Sequence, residues 1–460
     1  MSFKGGIYMI FKRKIYNKLL EWKTTSSNEK ALLIEGARRI GKSTIVEEFA
    51  KKEYKSYILI DFNDVSKVVT DAFDNYLGDL DTFFLILSTE YNKTLYPKES
   101  LIIFDEIQQF PKARQSIKKL INDGRYDYIE TGSLISIKEN VRNITIPSEE
   151  RSIKMYPMDF EEFCWALGEE KIIDYIKTCF SDMHPLEQGL HHKAMLLFKQ
   201  YMLVGGMPKP LAKYIENNRG FAAADAEKRD ILTLYRADID KADKSYRTKI
   251  ASIFKQIPAF LTKHEKRVRL STIDKNATYP LYEETFYWLG DSMICNECFC
   301  CNDPNVGLSF NEDHAYIKCY LNDTGLLVSH AFNENEIANC ELYRQILHDN
   351  LSINEGMLFE NAIAQCLTAN GYKLYFYTHY NKEKHRSDME IDFIISNGSK
   401  TKPKIFPIEV KSGKRYETKS LNKFIDIYHQ RIGEAYVIHT KNLEIKDRVI
   451  CLPSYMTFLL

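Results

Sequence analysis

The sequence predicts an α/β chain in three parts: a parallel sheet covered on both faces, a helical and winged-helix-like middle, and a second α/β region at the C-terminal end. Three observations carry this. Short apolar runs alternate with amphipathic segments between residues 31 and 131, the pattern of a buried parallel sheet. A glycine-containing stretch at 36–43 stands between the first of those runs and the next helix. A separate set of strand and helix segments recurs beyond residue 350, and 460 residues is long enough for several cores.

The elements follow in order. ALLIE (31–35) reads as a buried strand and 42–52 as a helix. YILID (57–61) and LIIFD (101–105) are further strands, 114–122 is a helix, and DYIET (127–131) a fourth strand. From about 160 to 265 the pattern is mostly helical, broken at Gly205-Gly206-Met207-Pro208 and at Ile257-Pro258. Residues 247–330 then read as helix, short helix, helix and β-hairpin, an order that resembles a winged helix. The last region has a helix at 354–370, strands at 373–377, 390–395 and 405–411, a helix at 418–429 and a strand at 434–439. The expected domains are therefore 9–160, 161–335 and 345–460, with the polar stretch 333–344 as a boundary and Met9 as an alternative start.

Composition narrows the function classes. With 63 basic and 63 acidic residues the formal net charge is zero, which excludes a uniformly polybasic nucleic-acid coat but not a basic face on one domain. A hydrophobic share of 44% argues against wholesale disorder. No apolar run approaches the ~18 residues of a membrane span. Ten scattered cysteines without a secretory leader point to reduced thiols and a cytoplasmic location. Cys295-x-x-Cys298-x-Cys300-Cys301 has only one well-spaced pair where a zinc site needs four ligands, and period-two burial accounts for it equally simply.

The chemistry lies elsewhere. Gly36-Ala37-Arg38-Arg39-Ile40-Gly41-Lys42-Ser43 fits G-x-x-x-x-G-K-[ST] at every fixed position, between a strand and a helix. Glycines let backbone N–H groups converge on phosphate oxygens, and the helix N-terminus adds positive potential. Lys42 can reach the β- and γ-phosphates, Ser43 can ligate Mg²⁺, and Thr44 can offer an α-phosphate contact. Such a loop needs an acid at the end of a neighbouring apolar strand. Asp105 supplies it as a Mg²⁺ partner, and Glu106 is placed to orient or deprotonate water. Thr131-Gly132-Ser133 ends the next strand, where the Ser133 hydroxyl is a candidate γ-phosphate or water contact.

Taken together, GARRIGKST, LIIFDEIQQFPKARQSIKKL and YIETGS resemble the prokaryotic AAA-type P-loop ATPases with a C-terminal restriction-endonuclease-like domain of uncharacterised function. The resemblance continues through residues 155–163, 201–208, 322–327, 356–361 and 408–413. It implies a P-loop NTPase sheet of the additional-strand, catalytic-glutamate class, with ATP and Mg²⁺ as ligands. The twin Arg38-Arg39 is typical of the family. Before Arg151 the chain departs from it, having Glu150 where a glycine is usual.

At the C-terminal end Asp392 and Glu409-Val410-Lys411 lie in two apolar strands, and alternation puts Glu409 and Lys411 on one face. Asp392 and Glu409 could share a second divalent metal, with Lys411 orienting water. Glu360, on the preceding helix, matches the acidic helix residue of restriction-endonuclease-like folds. Residues 400–448 hold 12 Lys/Arg against 6 Asp/Glu, an excess of 6 that fits DNA phosphates. The expectation is an ATP-binding protein that hydrolyses ATP with Mg²⁺ and couples this to domain rearrangement, with DNA or another protein as partner. The alternatives are a nucleotide-gated binding or signalling module with an inactive nuclease-like domain, and an active metal-dependent DNA nuclease.

Overall fold

The apolar runs between residues 31 and 154 pair into one fully parallel sheet. In the computed structural model, which describes residues 9–133, 146–263, 265–332, 340–347, 355–381, 386–397, 404–413 and 415–460, the strands are β1 (Ala31–Glu35), β2 (Ser56–Asp61), β3 (Ser100–Asp105), β4 (Asp127–Gly132) and β5 (Glu150–Lys154). Their spatial order is β2-β3-β4-β1-β5. One strand, β4, is thus inserted between the strand before the glycine loop and the strand that ends on Asp105. The helices α1 (Ile15–Thr25), α2 (Lys42–Glu53), α3 (Lys67–Asn75), α4 (Leu80–Glu90) and α5 (Pro111–Asp123) belong to the same unit, Met1–Tyr156 with Asp291–Met293. Every residue of β1, β3 and β4 is buried, which is why β1 and β3 read as nearly continuous apolar runs rather than alternating ones; β4 also buries Asp127 and Glu130. Leu33, Ile58, Ile102, Phe104 and Tyr128 form a core with Phe73, Phe83 and Ile117. Proline at the first turn of α5 and Gly124 at φ +71° after its end mark that helix at both termini.

The second unit, Pro157–Gly290 with Ile294–Leu460, begins with helices Phe160–Ala166, Glu170–Ser181, Gln188–Val204, Pro208–Glu216, Phe221–Ile239 and Arg247–Leu261, the helical middle that the sequence predicts. Its eight-stranded sheet has the order β12-β13-β11-β10-β9-β8-β6-β7. The strands are β6 (Cys295–Cys301), β7 (Glu312–Leu321), β8 (Leu374–Asn381), β9 (Arg386–Asn397), β10 (Lys404–Lys411), β11 (Ala435–His439), β12 (Glu444–Lys446) and β13 (Val449–Pro453).

One expectation changes here. The hairpin β6–β7 was to complete a winged-helix-like middle, but it is the edge of the C-terminal sheet. β6 runs parallel to β8, with Cys298 opposite Leu374 and Cys300 opposite Phe376. β6 is a buried strand, with Cys295, Cys298, Cys300 and Cys301 out of water, and its backbone groups are paired by β7 on one edge and β8 on the other. The sheet therefore runs across the expected boundary between 335 and 345, and residues 333–339 of the polar stretch lie outside the described residues.

A buried polar knot joins this unit's segments. Asp323 caps the helix Thr324–Ala331 by accepting from Leu326 N at 2.9 Å, and its other oxygen accepts from Gly206 N. Gln365 donates to Asp323 and accepts from Thr324 N at 2.9 Å, while Asn361 accepts from Leu321 N at 2.8 Å. Gly206 is required by close approach: a Cβ there would lie 2.0 Å from Met158 O and 2.7 Å from Met158 N. Gly206→Ala should cost about 1–3 kcal/mol through this overpacking. Urea unfolding of the full chain should show a lower midpoint for Gly206→Ala and none for Gly78→Ala, where nothing lies within 4 Å; equal midpoints would show that the backbone contact is not needed.

Candidate functional site

The loop 36–41 is shaped by three backbone features. A Cβ at Gly36 would fall 2.4 Å from Ile40 Cδ1 and 2.5 Å from Met155 O, so only glycine fits. Arg39 and Gly41 take positive φ values of 67° and 93°, which turn the chain so that α2 starts at Lys42. Ala37 and Ile40 are buried beneath the loop, whereas Arg38 is partly exposed and Arg39 exposed. Lys42 is 6% exposed and donates to Gly36 O at 2.9 Å and Ala37 O at 3.0 Å. Burial lowers its pKa, against the opposing pull of Glu106 and Asp105.

Asp105 ends β3 beside the start of α2. Its Oδ1 accepts from Ser43 Oγ at 2.8 Å and also from Thr131 Oγ1. Burial raises its pKa, those two hydroxyl bonds lower it, and Glu106 and Asp61 raise it. Glu106 has a left-handed backbone, φ +54°, just past the strand end. Its N–H donates to Thr131 Oγ1 at 3.4 Å and its carboxylate accepts from Gln108 Nε2. Thr44 is exposed on the first turn of α2.

The structure thus brings together the glycine loop, Lys42, Ser43, Asp105 and Glu106. Beside Ser43, a second hydroxyl on Asp105 comes from Thr131, since β4 lies directly beside β3 with Phe104 opposite Glu130. Three further contributors were missed. Arg13 donates to Ile40 O at 2.9 Å and to Tyr156 O at 2.7 Å, tying the loop's crest to the segment after β5. Gln108 and Thr131 hold the acidic pair. Thr131 was visible in its motif, whereas Arg13 stands before α1 with no local signature. Asp61 accepts from Asn63 N at 2.9 Å and builds a turn.

The C-terminal candidates meet different partners. Glu360 is fully buried and pairs with Lys266, accepts from Tyr320 Oη, and lies 3.4 Å from Lys318 Nζ. Burial alone would raise its pKa; Lys266 and Lys318 hold it down at about 2. Asp392 Oδ2 accepts from Val410 N at 2.8 Å, and its Oδ1 is 3.9 Å from Lys318 Nζ. Glu409 Oε2 is 3.2 Å from Lys411 Nζ, so these two do share a face. Burial pushes Glu409 up to about 7, with Lys411 pulling the other way and Asp392 adding to the rise. Among the described residues no three His, Cys, Asp or Glu side chains gather as a metal site. The expected sharing of a metal by Glu360, Asp392 and Glu409 is therefore not what the structure has, because lysine ammonium groups stand among these acids.

The basic excess of 400–448 is also partly matched. Lys419, Lys423, Arg431, Lys446 and Arg448 pair with Glu417, Asp388, Asp303, Glu444 and Asp426, two of which lie outside the counted stretch. Lys400, Lys402 and Lys414 lie outside the described residues. The thiols of Cys295, Cys298 and Cys319 are buried, and burial raises their pKa, so they act as small apolar packing groups.

The glycine loop, the parallel sheet and the strand inserted between β1 and β3 define a P-loop NTPase fold. Residues 28–164 match the AAA domain family, which marks this region as an AAA-type ATPase domain that binds nucleotide. Residues 195–336 and 355–455 match two domains of unknown function, DUF8612 and DUF4143. No curated protein matches the chain. Among solved structures, the chain is similar to the Walker-type ATPase PABY2304 of Pyrococcus abyssi at 14% identity and a TM-score of 0.39, over 70% of this chain and 96% of that one. It is also similar to PH0952 from Pyrococcus horikoshii, a signal-transduction ATPase with numerous domains and a tetratricopeptide-repeat sensor. That match has 11% identity and a TM-score of 0.27, over 79% of this chain and 49% of that one, so the chain spans about half its length.

Glu150, the departure before Arg151, has its own role. Arg114 donates to both its oxygens at 2.8 and 2.7 Å, beside fully buried Glu130. Burial and then Glu150 raise the Glu130 pKa well above the usual carboxylate range. Arg114→Met leaves the Glu150 carboxylate uncompensated beside a neutral Glu130 and should cost about 3–5 kcal/mol at neutral pH. In thermal or urea unfolding, Arg114→Met/Glu150→Leu should recover most of that loss; no recovery would mean the pair is not what Arg114 stabilises.

Proposed function

We propose that this protein hydrolyses ATP in its N-terminal unit and uses the cycle to change how the second unit engages a partner. The observation that carries the reading is the Ser43–Asp105 contact at 2.8 Å, which joins the first turn of α2 to the end of β3 through two oxygens of the hard type that Mg²⁺ prefers. The residues fit that ion: Ser43 and Asp105 would hold it, and when bound it neutralises charge on the phosphates.

The remaining roles belong to the chain. Backbone groups of Gly36, Ala37, Arg38, Arg39, Ile40 and Gly41 with Lys42, Ser43 and Thr44 cradle the phosphates. Lys42 exchanges its carbonyl partners for phosphate oxygens. Glu106 accepts the proton of the attacking water, held in place by Gln108 and by Thr131 through the backbone. Ser133 follows at the γ-phosphate edge. ATP is favoured over GTP because the N-K-x-D guanine signature fails at its acid in Asn422-Lys423-Phe424-Ile425.

For the second unit we favour the reading of a nucleotide-gated docking module on a restriction-endonuclease-like scaffold. The antiparallel β8-β9-β10 meander followed by parallel β11, with the helix Lys419–Tyr428 between, supports that scaffold. Lysines among Glu360, Glu390 and Asp392 favour docking over cleavage, so no second metal and no catalytic role for Asp392, Glu409 or Lys411 is assigned. DNA is the first partner to test, on the basic residues of 400–448.

Lys42→Ala should abolish ATP binding in a fluorescent-nucleotide titration; binding like the parent would refute the loop assignment. Glu106→Gln should keep binding and lose turnover by about 10²–10⁴-fold; unchanged turnover would remove Glu106 from its role. Turnover with and without single- and double-stranded DNA and RNA tests the partner class. Plasmid nicking with Mg²⁺ or Mn²⁺ that is lost in Asp392→Ala would instead establish a nuclease.

A further inference from the structure

Two lysines from the middle segment end inside an acidic cluster of the C-terminal segment. Lys318, on β7, is fully buried, and its Nζ lies 3.4 Å from Glu360 Oε1, 3.2 Å from Glu390 Oε1 and 3.9 Å from Asp392 Oδ1. Lys266 pairs with the other oxygen of Glu360, and Tyr320, two residues beyond Lys318 on the same face of β7, donates to Glu360 Oε1. Burial works to neutralise Lys318, but Glu360, Glu390 and Asp392 override it and keep the ammonium charged. The hairpin is fixed where it stands, since β6 is paired to β7 on one edge and to β8 on the other.

A divalent ion at this cluster would need deprotonated oxygens at about 2.0–2.6 Å with free lone pairs. Both Glu360 oxygens already face ammonium or phenol donors, and one Asp392 oxygen accepts from Val410 N. The point nearest all three acids holds Lys318 Nζ. A metal placed there would meet a fixed positive charge inside the protein, where repulsion is weakly screened. The cluster of Glu360, Glu390 and Asp392 does not fit a divalent metal.

We infer that Lys318 is a resident internal cation that takes the place of a divalent metal in the C-terminal acidic cluster, with Lys266 completing the charge match. The segment matching one domain family, 195–336, thereby plugs the acidic pocket of the segment matching another, 355–455. This deepens the docking-module reading, and it is independent of ATP hydrolysis. The plug is held by β-sheet pairing rather than by a flexible arm, so it is a permanent feature of the folded unit.

The experiment is Mn²⁺ titration of the nucleotide-free full-length chain in an Asp105→Asn background, which removes the other carboxylate metal partner, read by the electron paramagnetic resonance signal of free Mn²⁺. The parent should leave that signal undiminished, and Lys318→Met should deplete it, with the depletion lost again in Lys318→Met/Asp392→Asn. Depletion by the parent that disappears in Asp392→Asn overturns the inference. So does a folded Lys318→Met chain that leaves the signal unchanged, because the ammonium is then not what keeps metal out. Should Lys318→Met fail to fold, the parent and its Asp392→Asn variant decide alone: depletion abolished by Asp392→Asn refutes the plug, and its absence supports it. Partner binding in the absence of metal reports separately on docking, so failure of that reading is distinguishable.

Discussion

A carboxylate taken out of water costs several kcal/mol unless donors meet it, and Asp105, Asp323 and Glu360 are among the buried carboxylates of this chain. Each is satisfied by groups far away in sequence. Asp105 takes the hydroxyls of Ser43 and Thr131. Asp323 takes the N–H groups of Gly206 and Leu326 with the amide of Gln365. Glu360 takes Lys266, Lys318 and Tyr320. Desolvation penalises a missing donor more than a formed bond rewards it, so each acid fixes the segments that bring its partners. The folds of both units are pinned at these points.

Several strings that resemble a known ATPase family serve this pinning rather than chemistry. Tyr201, Gly206, Asp323, Thr324, Asn361 and Gln365 come from three separate stretches and form one hydrogen-bonded knot. The tight approach of Gly206 to Met158 and the Asp323 cap on the helix Thr324–Ala331 are backbone requirements. Glycine, aspartate and asparagine stand there because of space and donors, and nothing in the geometry needs a substrate to account for them.

Local signals made much of this legible in the sequence. The strands β1 and β3 are buried on every residue, and the loop between β1 and α2 carries its own pattern, so the candidate phosphate loop and its flanking strands could be read from residues 31–53 and 100–106. Helices of the middle segment were equally visible from their spacing. Pairing over long distance was not. Cys298 lies opposite Leu374, and no composition or period within β6 says which strand will cover its free edge. The same limit hid Lys318, which in sequence is one basic residue in an ordinary strand and becomes informative only beside Glu360, Glu390 and Asp392. That Thr131 meets Asp105 likewise depends on the β3–β4 register, which neither strand's own residues specify.

The two acidic clusters differ in the kind of donor that meets them, and this separates their capacities. Asp105 is met by neutral hydroxyls, which reduce its desolvation penalty without cancelling its charge, and Glu106 beside it adds a second carboxylate. A hydroxyl can rotate from donating to a carboxylate to presenting its lone pair, so Ser43 and Asp105 can together accept a cation. Glu360 is met by ammonium groups, which cancel charge and have no lone pair to offer. A cation could join the first cluster beside its hydroxyls; one entering the second must first displace a lysine fixed on β7 by its pairing with β6. On the proposed reading, chemistry that depends on a metal belongs to the N-terminal unit, and Glu360 with its lysine partners serves structure.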